Sequence, residues 1–386
     1  MTEAKKDPFV RIAKRNDISL KKKIEIKVVC VLGAVLLSII FIWIVSGKNP
    51  LPAVNYIFQG TFKNSIKIWS ALQEMVILLA IALALTPAFK MRFWNIGAQG
   101  QILMGALMTA VCMIYFKNLP NLAIIAISLV LSILGGALYG FIPAFFKAKF
   151  NTNETLFTLM MNYIAVLIVT IFTKMWRGAA SSLGQINFTT KLGWLYTIAN
   201  NQVIVPLICV SVLVISTYVY LKKTKHGYEI EVVGESVNTA RYTGINVKKV
   251  IMRTVALSGA LCGAIGFFYV AGIDHTLTEA TSGSYGFTAI IVAWLSHLNP
   301  FLMIFFSFLV VFLNKGGKNL SDSSYSPNLN EYSCEFIVFL IIISILLSEF
   351  FTSYRLIFRN SKPKDSSPLH HSLTSNLLTK EDKING

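Results

Sequence analysis

Residues 122–146 read LAIIAISLVLSILGGALYGFIPAFF, with no charged side chain among them. A helix of that length crosses a hydrocarbon core about 30 Å thick. No water in that core satisfies an open backbone, so the run reads as a membrane-spanning helix. Working outward, comparable runs cover 28–45, 68–89, 93–116, 155–174, 203–221, 250–272, 285–298, 301–314 and 332–353. The fold class is therefore all-α, a polytopic membrane protein with about ten transmembrane helices.

Composition agrees. Of 386 residues 54% are apolar and 14% charged, and the net charge is +17. Soluble domains carry about a quarter charged residues. In a soluble chain such a charge would point to nucleic acid; beside this apolar excess it points to lipid headgroups and the positive-inside bias, and no nucleic-acid partner is expected. Disordered, collagenous and disulfide-stapled classes are excluded. Cys30, Cys112, Cys209, Cys262 and Cys334 lie far apart without a CxxC pair and read as small hydrophobes. An even number of spans puts both termini on one side. With the termini inside, 26 of the 35 Lys and Arg residues fall on inner segments and 9 on outer loops, which favours cytoplasmic termini in the cell membrane. The chain divides into a basic N-terminal segment (1–27), a transmembrane domain (28–353) and a Ser/Lys/Asp-rich tail (354–386) expected to be disordered. His370 and His371 in that tail have no further metal ligands beside them.

Polar clusters inside the apolar frame carry the functional information. Residues 93–101, FWNIGAQGQ, place three carboxamides and two glycines at the opening of the third span. They suit either backbone that breaks while lining a cavity, or amide glue between helices. Asn151-Thr152-Asn153-Glu154-Thr155 offers N-caps, with Glu154 in the first turn of the next helix; Asn162, two turns on, faces a pore or a neighbouring helix. Between Gly234 and Gly244 the longest inner loop reads as a short helix, started by Glu235 and Ser236 and stopped by Gly244. Val237, Ala240 and Ile245 form its apolar face, fit for docking a partner or lying in the headgroup plane. Gly259 and Gly263 make a close-packing seam that Gly135, Gly136 and Gly140 echo, a sign of two related halves. Glu74, an acid within the 68–89 span, is read as snorkelling to the outer surface. There is no GxxxxGK[ST], GxSxG or HExxH, so the chain is not expected to be an enzyme or to bind ATP by that motif, and no metal site is expected.

Phe93 to Gln101 resembles the FNIGAEGQ signature of membrane permeases of ATP-binding-cassette (ABC) importers for simple sugars and nucleosides. It differs in Trp94, inserted after Phe93, and in Gln99, where the family has an acid. Asn153-Glu154-Thr155 with Thr158 to Ala165 is similar to NEVIxTLMLNYIA, which points to the nucleoside branch. Residues 227–245 resemble the GYxxRAVGxNxxAAxYxGI loop, with Glu231 in place of Arg, and Leu257–Ala260 and Gly283–Pro300 match LSGALAG and GYGFxxIAVALLGxxNP. The resemblance covers about residues 60–350. It implies that Glu235, Ser236, Val237, Asn238, Ala240, Arg241 and Gly244 form the helix that fits the cytoplasmic ATPase. It also implies a second, shorter permease and an extracytoplasmic substrate-binding lipoprotein as partners, with ATP used by the ATPase and no cofactor bound by this chain. Nucleosides are polar but uncharged, so their pathway would offer amides and aromatic faces. Asn95, Gln99, Gln101 and Asn162 would supply hydrogen bonds, and Trp94 and Tyr163 would stack a base, unless they point into helix seams. The alternatives are a permease for ribose- or galactose-like sugars and an ion-coupled secondary carrier.

Overall fold

The structure is a computed structural model, and it describes residues 10–14, 19–199, 201–283 and 285–358. The tail beyond 358, with His370 and His371, lies outside the described residues. Two compact units are distinguished, the described residues of Met1–Leu37 with Ile343–Gly386, and Ser38–Ile342.

In the first unit, β1 (Val10–Lys14) pairs antiparallel with β2 (Tyr354–Phe358), Val10 opposite Phe358 and Lys14 opposite Tyr354. The β-branched and aromatic residues in these segments favour extended backbone, so the tail expected from 354 opens with five ordered residues. The first helix, α1 (Leu20–Ser46), starts eight residues before the expected 28. Ser344 on α13 (Glu331–Ser353) donates to the Cys30 carbonyl at 2.5 Å.

The larger unit contains α2 (Leu51–Phe62), α3 (Ser65–Lys90), α4 (Ala98–Tyr115), α5 (Asn121–Phe150), α6 (Glu154–Arg177) and α7 (Ile204–Lys223). It continues with α8 (Lys225–Glu235), α9 (Val237–Tyr242), α10 (Val247–Phe267), α11 (Tyr285–Leu295) and α12 (Pro300–Ser321). Each of the ten expected runs is a helix. Among the described residues nine are long and apolar enough to cross a membrane, and the tenth, α11, is shorter. α2, whose 12 residues are too few to span, was not expected. α3 is the central post: from Val76 to Phe89 every residue is buried, because α7, α10, α11 and α12 surround it. Pro87 and Pro143 sit inside α3 and α5, which neighbouring helices make tolerable.

α5 and α10 cross at the glycine seam. A Cβ on Gly136 would lie 2.6 Å from the Gly263 Cα, and one on Gly140 would lie 3.1 Å from the Gly259 Cα. The two echoing sequence segments therefore pack on each other, backbone against backbone.

Ion pairs mark the two ends of this unit. At one end Lys90 meets Glu231 at 3.3 Å, Lys147 meets Glu154 at 2.8 Å and Arg253 meets Glu229 at 2.5 Å, tying α3 and α10 to α8 and α5 to α6. At the other end Lys315 pairs with Glu74 at 2.6 Å and donates to Ser70 at 2.8 Å. Glu74 is thus held by a lysine of α12; the snorkelling expectation is corrected, because a half-buried carboxylate gains more from a partner than from reaching for the surface. Glu154 is likewise more than a dipole partner: Asn153 caps α6 by accepting from the Leu156 N–H, and Glu154 adds the bridge to Lys147.

Candidate functional site

The third span does not open at Phe93. α3 ends in a Schellman turn, with Phe93 N–H to Ala88 C=O at 3.0 Å, Arg92 N–H to Phe89 C=O at 2.9 Å, and Arg92 left-handed at φ 59°. Non-helical backbone then runs to Gly97, and α4 begins only at Ala98. Five polar side chains satisfy this break from within the protein. Asn95, with no exposed surface, donates to Ser258 at 3.1 Å and to the Gln101 Oε1 at 3.3 Å; its Oδ1 accepts from Gln101 at 3.1 Å and from the Gly97 N–H at 3.2 Å. Asn162 accepts from the Gly100 N–H at 2.8 Å and donates to the Ile96 carbonyl at 3.0 Å. Thr158 accepts from the Ile96 N–H at 3.2 Å. Gly100 is needed because its face lies against Asn162 and Tyr139; a Cβ there would sit 3.1 Å from each.

Of the two readings of residues 93–101, the amide glue is seen directly, at a point where the backbone breaks. Asn95, Gln101 and Asn162 hold the break together, so their polar groups are occupied. Trp94 and Gln99 are not. Trp94 is 43% exposed and stacks on Trp294 of α11, ring centroids 5.2 Å apart and planes 18° off parallel, with Phe89 edge-on. Gln99 packs against Gly286 of α11, whose Cβ would lie 3.3 Å from the Gln99 Cβ, and its carboxamide has no partner among the described residues. Tyr163 is rotated about 100° from Asn162 around α6 and is 61% exposed, off the face that meets the break. The structure therefore brings Trp94, Asn95, Gln99, Gln101 and Asn162 together and leaves Tyr163 outside. Trp294 and Ser258 were missed as partners. Ser258 lay within a motif already singled out, whereas nothing in the sequence pairs Trp294 with Trp94.

The inner loop is two helices. Glu235 is the last residue of α8, not the start of the next helix; Ser236 alone caps α9, accepting from the Thr239 N–H at 3.2 Å. α9 ends in a Schellman turn on Gly244 (φ 80°), with Ile245 N–H to Ala240 C=O at 2.9 Å. Ala240 is fully buried, and with Ile245 it seats α9 on a cluster of Met91, Phe93, Ile230, Val233 and Val247. The expected apolar face is therefore mostly turned inward. Val237 is 42% and Tyr242 91% exposed, and Asn238 and Arg241 are exposed beside them. Phe93 joins this cluster, so α9 and the break at Trp94 share one packing unit. In α8, the Arg253 guanidinium holds the Glu229 carboxyl below the ordinary carboxylate range.

A bundle of apolar helices, one of them opening inside the protein on a satisfied break, with a capped helix pair seated at its basic end, has the architecture of a multi-pass membrane permease. The chain belongs to the family described as "Branched-chain amino acid transport system / permease component", which matches residues 68–346. The nucleoside ABC transporter permease protein NupB of Lactococcus lactis is 25% identical over 337 residues, covering 84% of this chain and 92% of its own length. The guanosine ABC transporter permease protein NupP of Bacillus subtilis is 27% identical over 293 residues, 74% of this chain and 84% of its own. The glucose ABC transporter permease protein TsgB13 of Haloferax volcanii is 26% identical over 320 residues, 80% and 83% respectively.

Proposed function

We propose that this chain is one membrane-spanning half of an ABC importer that moves nucleosides into the cell. The observation that carries the reading is α9. It is a helix of six residues, capped by Ser236, seated by Ala240 and stopped by Gly244, with Val237, Asn238, Arg241 and Tyr242 turned away from the protein. A rigid helix presenting both apolar and polar side chains is fit to receive a push from a cytoplasmic ATPase. α9 shares a packed cluster with Phe93, so that push reaches the turn that carries Trp94. Bistable packed elements transmit such shifts.

In this reading the end that bears α9 is cytoplasmic, as are both termini. ATP is bound and hydrolysed by the partner ATPase, and this chain holds no cofactor. A second, shorter permease completes the pathway, and a lipid-anchored binding protein delivers solute from outside. Within this chain the pathway contacts narrow to Trp94 and Gln99, with Trp294 added; Asn95, Gln101 and Asn162 position them. The likeness to two permeases named for nucleosides and guanosine supports a nucleoside over a sugar.

The test is competition. Uptake of labelled guanosine by the reconstituted transporter should be blocked by unlabelled purine nucleosides and not by D-glucose or D-ribose. Block by the sugars, with nucleosides inert, would replace this reading with a sugar permease.

A further inference from the structure

At the end opposite α9, between the first turns of α3 and the loop joining α6 to α7, lies a cavity of about 700 Å³, within the size range of small-molecule sites. Its lining includes Trp69, Gln73, Trp194, Tyr196, Asn201 and His275. The wall is built rather than incidental. α10 runs into a π-helical turn, Phe268–Ile273, and such turns leave carbonyls free for other partners. The Ala271 carbonyl accepts from the Leu195 N–H at 2.8 Å, and the His275 carbonyl accepts from the Ile186 N–H at 2.7 Å. These bonds fix the α6–α7 loop so that the Trp194 ring lies flat on the His275 imidazole, centroids 3.6 Å apart and planes 3° off parallel.

His275 is 3% exposed, and its Nδ1 has no hydrogen-bond partner. That nitrogen has no accessible surface, so His275 backs the Trp194 ring rather than offering a ligand a contact. On the facing helix Trp69 and Gln73, one turn apart on α3, line the same cavity, and neither the indole N–H nor the carboxamide is bonded among the described residues. Among the described residues no carboxylate lines the cavity, and the one cation there is the exposed Lys191. Aromatic faces with an unpaired amide and indole N–H fit a planar, uncharged heteroaromatic, because the rings stack it and the polar groups read its edge. Burial holds the imidazole below the ordinary histidine value.

We infer that this cavity is an entrance subsite that holds the base of a nucleoside before it reaches Trp94 and Gln99. The inference rests on the nucleoside reading given above. Trp194 and His275 form the fixed wall, and Trp69 and Gln73 close on the base from α3.

The experiment uses the complete transporter in nanodiscs, without binding protein or ATP, and labelled guanosine as the probe. Trp69→Ala and Gln73→Ala avoid the stitched wall, and each should weaken guanosine binding about tenfold, the loss of one good contact. Trp69→Phe should restore most of the affinity, guanine should compete and D-ribose should not. Unchanged affinity in both alanine variants, or equal competition by D-ribose, would overturn the subsite while guanosine uptake by the parent transporter continued. Absence of guanosine uptake by the parent, with its binding protein and ATP present, would instead overturn the nucleoside reading itself.

Discussion

Gly136 of α5 and Gly263 of α10 face each other so closely that a side-chain carbon on the first would lie 2.6 Å from the Cα of the second. Two long helices approach there to backbone contact, which only glycine allows. Gly263→Leu should therefore force the helices apart and cost about 1–3 kcal/mol or prevent assembly. Gly33→Leu, at a position with nothing within 4 Å, should change stability by less than about 0.5 kcal/mol. Thermal unfolding of the two variants in detergent checks the contrast; equal melting temperatures would contradict the seam.

In the proposed reading, the break before α4 separates scaffold from contact. Asn162→Leu leaves the Gly100 N–H and the Ile96 carbonyl buried without partners, at about 1–3 kcal/mol each. It should lower the melting temperature and transport together. Gln99→Ala removes a carboxamide with no partner among the described residues, so the melting temperature should hold while the KM for uptake rises. A destabilised Gln99→Ala protein would show that its carboxamide belongs to the scaffold after all.

The seat of α9 and its outward face should respond differently. Ala240→Trp cannot fit the buried contact with the cluster below and should displace α9 altogether. Tyr242→Ala, at a residue 91% exposed, should leave the fold intact and reduce the coupling of ATP hydrolysis to uptake. Measuring ATPase activity with and without substrate separates the two. Full coupling in Tyr242→Ala would remove this residue from the ATPase contact.

Glu229 gives a pH dependence with a definite sign. Its carboxyl is held down chiefly by the hydrogen bond from Arg253, with desolvation opposing, so the folded protein binds this proton less readily than the unfolded chain. The stabilisation is present above the ordinary carboxylate value, about 4.3, and is lost as pH falls through the depressed folded value. Glu229→Gln should therefore melt below the parent at pH 7, and the gap should close in acid. A gap that persists there would contradict the ion pair.

Much of this was legible in the sequence because a membrane core allows so few solutions. Apolar runs had to be helices, and Ser236 and Gly244 marked the start and stop of α9 by cap chemistry alone. α2 was not legible, since twelve residues cannot signal a crossing and their apolar face is shared with α12. The break at 93–97 was visible as polarity, but which amides face inward depends on the register between α4 and α6. Asn162 and Tyr163 are adjacent in sequence and lie on different faces, a distinction only the packing makes. The π-helical turn that fixes Trp194 on His275 leaves no sequence mark, so that cavity could not be anticipated.

The central claim, that a separate ATPase drives solute through this chain, is tested most directly in proteoliposomes loaded with ATP on the α9 side. This chain alone should accumulate no guanosine. The chain with its ATPase, second permease and binding protein should accumulate it against a gradient, and loss of ATP should abolish that. Sustained accumulation by the chain alone under a proton or sodium gradient would contradict the account and make it an ion-coupled carrier.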